Sequence, residues 1–195
     1  MRPVFIVAIC CVTVFLDLSC GSQTNSPRQE ERKATAAGSV QPAESSPARQ
    51  PPKQQDNRPV IVAFGDSLTQ GVSGKSYPAY LQDTLDQDGY QYRVENQGVS
   101  GDTTSDGLAR IDNVLAQKPA LVILEFGGND GLRGIPVGET QKNLEQMIEQ
   151  LRTAKIPMVL AGITLPPNYG PDYVKPFTAM YPELARKYRL RFLPF

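Results

Sequence analysis

Residues 59–195 read as an α/β domain, a parallel sheet covered by helices in three α/β/α layers. Three observations predict this. From Pro59 onward, short β-rich apolar runs alternate with longer amphipathic segments, the pattern of strand and helix units in a parallel sheet. One run, Ala120 to Leu124, is almost wholly apolar, as suits a central strand buried on both faces. Three of the strands run directly into turns of glycine and polar residues, which collects those turns at the carboxyl edge of the sheet, where open α/β folds keep their ligand sites.

Val60 to Phe64 is the first strand, and Phe64-Gly65-Asp66-Ser67-Leu68-Thr69 is the sharp bend after it. Ser76-Tyr77-Pro78 starts a helix with a capping residue and an early proline. Tyr77, Tyr80, Leu81 and Leu85 then recur at helical spacing until Gly89. Tyr92 to Asn96 is the second strand, and the loop Gln97 to Thr104 contains a second turn. Its threonines or Ser105 cap a helix carrying Leu108, Ile111 and Leu115. After Ala120 to Leu124 comes the third turn, Glu125 to Gly131, and then a helix with the inner stripe Leu144, Met147, Ile148 and Leu151. Met158 to Ile163 is the fourth strand. Thr164 to Tyr173 is a proline-rich loop, stiff and apolar enough to line a pocket. A helix around Phe177 to Tyr188 follows, and Phe192 to Phe195 begins a fifth strand.

Ahead of the domain, residues 1–20 have the form of an export signal. Arg2 supplies positive charge, Val4 to Leu16 is an apolar run too short to span a bilayer comfortably, and Ser19-Cys20-Gly21 offers small residues for cleavage. A cysteine at that point resembles a bacterial lipoprotein signal, in which Cys20 is lipidated; Asp17 stands where that pattern prefers leucine, and plain secretion or an uncleaved anchor is the alternative. Residues 21–58 are Ser, Gln, Pro and Ala with scattered charge, a composition that cannot bury enough surface to offset chain entropy and so predicts a disordered tether. The expected location is the bacterial periplasm or a membrane surface.

Composition narrows the chemistry. All three cysteines lie within residues 1–20, so the domain has neither a disulfide nor a thiol nucleophile. Formal net charge is zero and no basic run occurs in the domain, which argues against nucleic acid as a partner. No metal or organic cofactor is implied. There is no histidine, so the commonest general base is missing. Gly74-Lys75-Ser76 mimics the end of a phosphate loop, but the first glycine of that motif would fall at Thr69.

Taken singly, each turn has a plain reading: Ser67 as a helix cap or turn serine, Gly101 as a turn glycine, Asn129 as an Asx turn. Asp66 and Asp130 flank the site and are assigned no catalytic role. Taken together and in order, Gly65-Asp66-Ser67-Leu68, Gly98-Val99-Ser100-Gly101-Asp102-Thr103 and Gly127-Gly128-Asn129-Asp130 resemble the blocks of the GDSL or SGNH hydrolases, within them the bacterial lysophospholipase, thioesterase and arylesterase branch. The resemblance covers Pro59 to Phe195 and includes Gly127 to Arg133 and Leu165 to Gly170. It implies a flavodoxin-like sheet in the SGNH hydrolase fold and a serine esterase working through an acyl-enzyme. Ser67 then matches the nucleophile, with its N–H also facing the oxyanion; Gly101 matches the backbone oxyanion donor, and Asn129 the side-chain donor. Fixed donors aimed at a developing oxyanion contribute ~3 kcal/mol each. Leu165, Pro166 and Tyr169 fall in the family's substrate-side loop and are candidates to contact an acyl chain, with a packed surface loop as the alternative. The implied partners are an acyl ester or lysophospholipid and, through Cys20, a membrane.

The family's fourth block, Asp-x-x-His, has no counterpart before Phe195. The domain is therefore expected to be C-terminally incomplete, with its last helix missing; a true pseudoenzyme and a lysine base are the alternatives, and Lys75 has no motif to support the latter. Loss of the base from a serine hydrolase can cost ~10⁶ in turnover, so little or no esterase activity is expected. A non-catalytic module that binds acyl or glycan ligands is the competing reading.

Overall fold

The structure, a computed structural model, describes residues 56–195. The expectations for the export signal, for Cys20 and for nearly all of the 21–58 tether lie outside the described residues.

Five parallel strands form one sheet: β1 (Val60–Gly65), β2 (Arg93–Gly98), β3 (Leu121–Glu125), β4 (Met158–Ala161) and β5 (Arg191–Leu193), in the order β2-β1-β3-β4-β5. Six helices accompany them: α1 (Ser67–Gln70), α2 (Tyr77–Gln87), α3 (Thr104–Ala116), α4 (Gly128–Leu132), α5 (Val137–Thr153) and α6 (Pro171–Tyr188). Parallel crossovers are right-handed. The connection through α2 runs from β1 outward to β2, and those through α3, α5 and α6 run the other way, which puts α2 on one face and the other three on the opposite face. Consistent with this, α3 packs on α5 and α5 on α6, while α2 lies against β2.

The core sits mainly between the sheet and the three-helix layer. Val62 and Phe64 of β1, Val122 and Leu124 of β3, and Leu160 of β4 meet Ile111 and Val114 of α3, all four stripe residues predicted for α5, and Phe177, Met180, Tyr181 and Leu184 of α6. On the other face the covering is thinner. Leu121 and Ile123 are only half-buried, so the expectation that β3 is buried on both faces holds for one face alone. Along α2, Tyr80 is exposed and lies under the Lys75 ammonium, because α2 rests on the edge strand β2 rather than over the middle of the sheet.

Register positions the site. Gly65 at the end of β1 pairs with Gly98 at the end of β2 and with Glu125 at the end of β3, so the three turns leave the sheet at one level. The chain runs from β1 outward to β2 and then back across to β3, so the β1/β3 boundary is the topological switch point, where such sheets hold ligands. Gly98 also admits α1: a Cβ there would stand 2.1 Å from the Gln70 nitrogen.

Local signals set the helix starts. Thr103 caps α3 in a capping box, its Oγ1 accepting from the Asp106 N–H while the Asp106 carboxylate accepts from the Thr103 N–H at 2.9 Å. Thr103→Ala is expected to lower stability by about 1 kcal/mol, read as a lower urea midpoint with an unchanged slope. At the other end of the domain, α6 begins at Pro171, six residues ahead of the expected start at Phe177, because a proline in the first helical position suits a helix that needs no N–H there. The loop before it contains a 3₁₀ turn at Pro167–Tyr169.

Candidate active site

Ser67 is the first residue of α1, directly after the Asp66 cap. The Asp66 carboxylate accepts from the Leu68 N–H at 2.9 Å, which closes the bend and points the start of this short helix toward solvent. Ser67 is half-buried and lines a cavity of about 230 Å³ with Asp66, Leu68, Gly128, Asn129 and Leu132 on one side and Ile163 to Pro166 and Phe195 on the other. A larger recess of about 500 Å³ opens near Leu115, Gln146 and Glu149; none of the three turns contributes to it.

Asn129 lies in α4, a five-residue helix entered from Gly127, where the sequence predicts only a turn. Its amide nitrogen donates to the Asp102 carbonyl at 2.8 Å and to the Asp66 carboxylate at 3.2 Å. Those two acceptors use both amide hydrogens. They also fasten the third turn to the first two. Gly101 takes a φ of +87°, a conformation that favours glycine, and its carbonyl accepts from the Arg133 guanidinium at 2.9 Å. Three of the predicted site residues, Ser67, Gly101 and Asn129, are thus brought to one edge of the sheet and laced together.

The predicted substrate-side residues divide. Leu165 and Pro166 line the cavity; Leu165 is buried and packs over Gly131. Tyr169 is not among the lining residues. Its hydroxyl donates to the Leu132 carbonyl at 3.2 Å, so it braces a cavity wall instead of forming one. Asp130 is buried in a structural role, accepting from the Thr104 N–H at 2.8 Å and from the hydroxyls of Thr104 and Thr140.

Three residues that sequence reasoning missed, Glu125, Tyr77 and Arg110, support the turns from behind, and none of them lines the cavity. Glu125 is buried beneath the Ser67 bend, with Thr69 Oγ1 donating to its Oε2 at 2.7 Å; its Oε1 has no partner among the described residues. Burial, with the negative charge of Asp66 adding to it, pushes the Glu125 carboxyl up to about 8. Tyr77 touches Thr69 from α2 at 3.3 Å, and burial pushes its phenol up to about 12. Burial also raises Asp66, reinforced by Asp130 and Asp102 and opposed by the Leu68 N–H. Arg110, from α3, bonds the Asp102 carboxylate at 2.7 Å. The signal that could have flagged Glu125 was a lone acidic residue closing an apolar strand.

A bend presenting a serine lies beside a fixed amide and a glycine loop, next to a largely apolar cavity at the switch point of a parallel sheet, an arrangement of the α/β hydrolase type. The chain belongs to the GDSL-like lipase/acylhydrolase family, whose model matches residues 63–195. It is 41% identical over 146 residues to the esterase TesA of Pseudomonas aeruginosa, covering 73% of each chain. To the thioesterase 1/protease 1/lysophospholipase L1 of Escherichia coli K12 it is 38% identical over 139 residues, 69% of this chain and 65% of that one. The crystal structure of AlinE4, an SGNH-hydrolase family esterase, matches with a TM-score of 0.67 at 46% identity, over 70% of this chain and 75% of that one. By family the protein is a carboxylic ester hydrolase.

Proposed function

We propose that Ser67 is the nucleophile of this ester hydrolase and that the reaction passes through an acyl-enzyme. Ser67 Oγ forms a bond to the ester carbonyl carbon, the alcohol departs with a proton, and water then releases the acid and restores the hydroxyl. The observation that carries the reading is the placement of Ser67 on the cavity wall beside Asn129, whose amide is bonded to the Asp102 carbonyl next to Gly101. As the carbonyl oxygen gains charge, the Asn129 amide turns one hydrogen from the Asp66 carboxylate to the oxyanion, and the N–H groups of Ser67 and Gly101 complete the set.

Leu132, Ile163, Leu165, Pro166 and Phe195 make the cavity largely apolar, and its volume of about 230 Å³ suits a short or medium acyl group. Small acyl esters, aryl esters and lysophospholipids are the substrates proposed. The signal-like residues 1–20 favour lipid, aryl or carbohydrate esters over acyl-CoA, which is cytoplasmic, and Cys20 with the 21–58 segment fits a tethered periplasmic lipoprotein. Residues 1–195 contain no histidine, so slow hydrolysis is expected of this stretch acting alone.

A panel of p-nitrophenyl esters of increasing acyl length, hydrolysed by the protein and by Ser67→Ala, tests this. Slow hydrolysis that Ser67→Ala abolishes is expected, falling off for long chains. Equal rates in the two proteins would remove Ser67 from the chemistry. A module that binds acyl or glycan ligands is the second reading, and the lack of a histidine bears on it for residues 1–195 alone; it requires both proteins to bind such a ligand equally and to hydrolyse no ester.

A further inference from the structure

We propose that Arg110 is a positioning residue for ester hydrolysis, a single guanidinium that holds the three site-bearing turns at one spacing. The inference rests on the reading of Ser67 as nucleophile. Arg110 comes from the middle of α3 and makes a different bond with each nitrogen. Nε donates to the Asp102 carboxylate at 2.7 Å, Nη1 to the Gln97 carbonyl at 3.0 Å, and Nη2 to the Gly65 carbonyl at 2.9 Å. Gly65 is the last residue of β1, two before Ser67; Gln97 is in the last two residues of β2; Asp102 directly follows Gly101.

The third turn is reached through aromatic rings and through Asp102. The Arg110 guanidinium carbon lies 4.5 Å from the Phe64 ring centroid and 5.6 Å from that of Phe126, the residue after β3. Those two rings meet edge to face at 4.9 Å. Asp102, held by Arg110 through its carboxylate, offers its carbonyl to the Asn129 amide. The nucleophile thus stands two residues beyond a carbonyl that Arg110 bonds, the backbone donor one residue before the carboxylate it bonds, and the side-chain donor is bonded to the carbonyl of that same Asp102.

Only arginine fits this arrangement. Its rigid, flat fork presents donors in three directions and stacks on aromatic faces, whereas lysine offers one compact charge on a flexible stem. Arg110 touches neither the cavity nor a substrate, so its effect is on geometry, where a displacement of about 1 Å can cost ~10² in rate.

The test compares the protein with Arg110→Lys, which keeps the charge opposite Asp102, and with Asp102→Asn, which keeps the guanidinium and its two carbonyl bonds. Two readouts are taken: the rate at which a fluorophosphonate labels Ser67 in imidazole buffer, and backbone amide exchange across the domain. For Arg110→Lys, labelling about 10² slower is expected, with faster exchange at residues 66–71 and 98–103 and unchanged exchange in α6. Asp102→Asn should slow labelling less and loosen 98–103 alone. Wild-type labelling with wild-type exchange in Arg110→Lys would overturn the proposal, as would exchange accelerated uniformly through α6 and β4, which marks a general loss of stability. If the unaltered protein takes no label at Ser67, the nucleophile reading fails, and the exchange pattern still decides whether Arg110 holds the turns.

Discussion

Imidazole added to the buffer is expected to raise the hydrolysis of a small aryl acetate by this protein at least about tenfold above the rate of Ser67→Ala in the same buffer. The expectation is for residues 1–195 alone and follows from their geometry and composition. The site has a serine on the wall of an open cavity and an amide within reach, and the chain contains no histidine to take the serine proton. A positioned base is worth up to ~10⁶ in a serine hydrolase, and intramolecular placement is worth effective concentrations of ~10⁵ M or more, so a free base in solution recovers only a part. Neutral imidazole is the active form. The increment should therefore grow with pH through the ordinary imidazole range, about 6.5, and level off above it. The Ser67→Ala control removes the direct attack of imidazole on the ester. No increment over that control would show that Ser67 is not activated by an external base. A high Ser67-dependent rate without imidazole would mean that the chain supplies its own base, and Asp66, the titratable side chain on the cavity wall, would be tested next by Asp66→Asn.

Stability is expected to fall as pH rises from about 4.5 toward 8, and Glu125→Gln is expected to remove much of that slope. Burial pushes the Glu125 carboxyl up to about 8 from its ordinary 4.5, so between those limits the folded state holds a proton that the unfolded state has released. Stability from this group is fully present below the unfolded value and is lost as pH passes through the folded one. At 1.36 kcal/mol per pKa unit the whole window is worth ~5 kcal/mol. The chemistry behind it is local. Thr69 Oγ1 satisfies Oε2, Oε1 faces no donor, and the neighbouring Asp66 repels a second charge, so the neutral acid is the form that fits. Urea unfolding at pH 5 and pH 8.5 measures it: the gap between the two pH values should be several kcal/mol smaller in Glu125→Gln. An equal gap in both proteins would show that Glu125 does not carry the proton.

What was legible in the sequence was what nearby residues decide. The three turns could be found because each follows its strand within a few residues, and parallel strands in register must bring such turns to one edge. The α5 stripe at Leu144, Met147, Ile148 and Leu151 was legible because one helix face sees one core. Contacts across long sequence separations left no local trace. Arg110 reaches Gly65 across 45 residues, and Glu125 meets Thr69 across 56. Neither partner carries a mark of the other. Spacing also says which residues share a helix face but not how much of that face is covered, which is why Tyr80 shares the spacing of Tyr77, Leu81 and Leu85 and yet lies exposed. Tyr169 shows the same limit in a loop: its position beside Leu165 and Pro166 suggested the cavity, and its hydroxyl turned to the Leu132 carbonyl.

With the roles proposed here, reaction chemistry and acyl selectivity fall on separate connections of this fold. Ser67, Gly101 and Asn129 come from the segments after β1, β2 and β3, whereas Ile163 to Pro166, the opposite cavity wall, comes from the segment between β4 and α6. That segment can change length and shape without shifting the level at which the first three strands end. For protein engineering, residues 163–170 could be exchanged for the equivalent stretch of another family member to reset the preferred chain length, provided that the contacts of Leu165 with Gly131 and of Tyr169 with the Leu132 carbonyl are kept, because α4 carries Asn129. Natural descent has the same freedom, so relatives that share the three turns can diverge widely in the esters they accept.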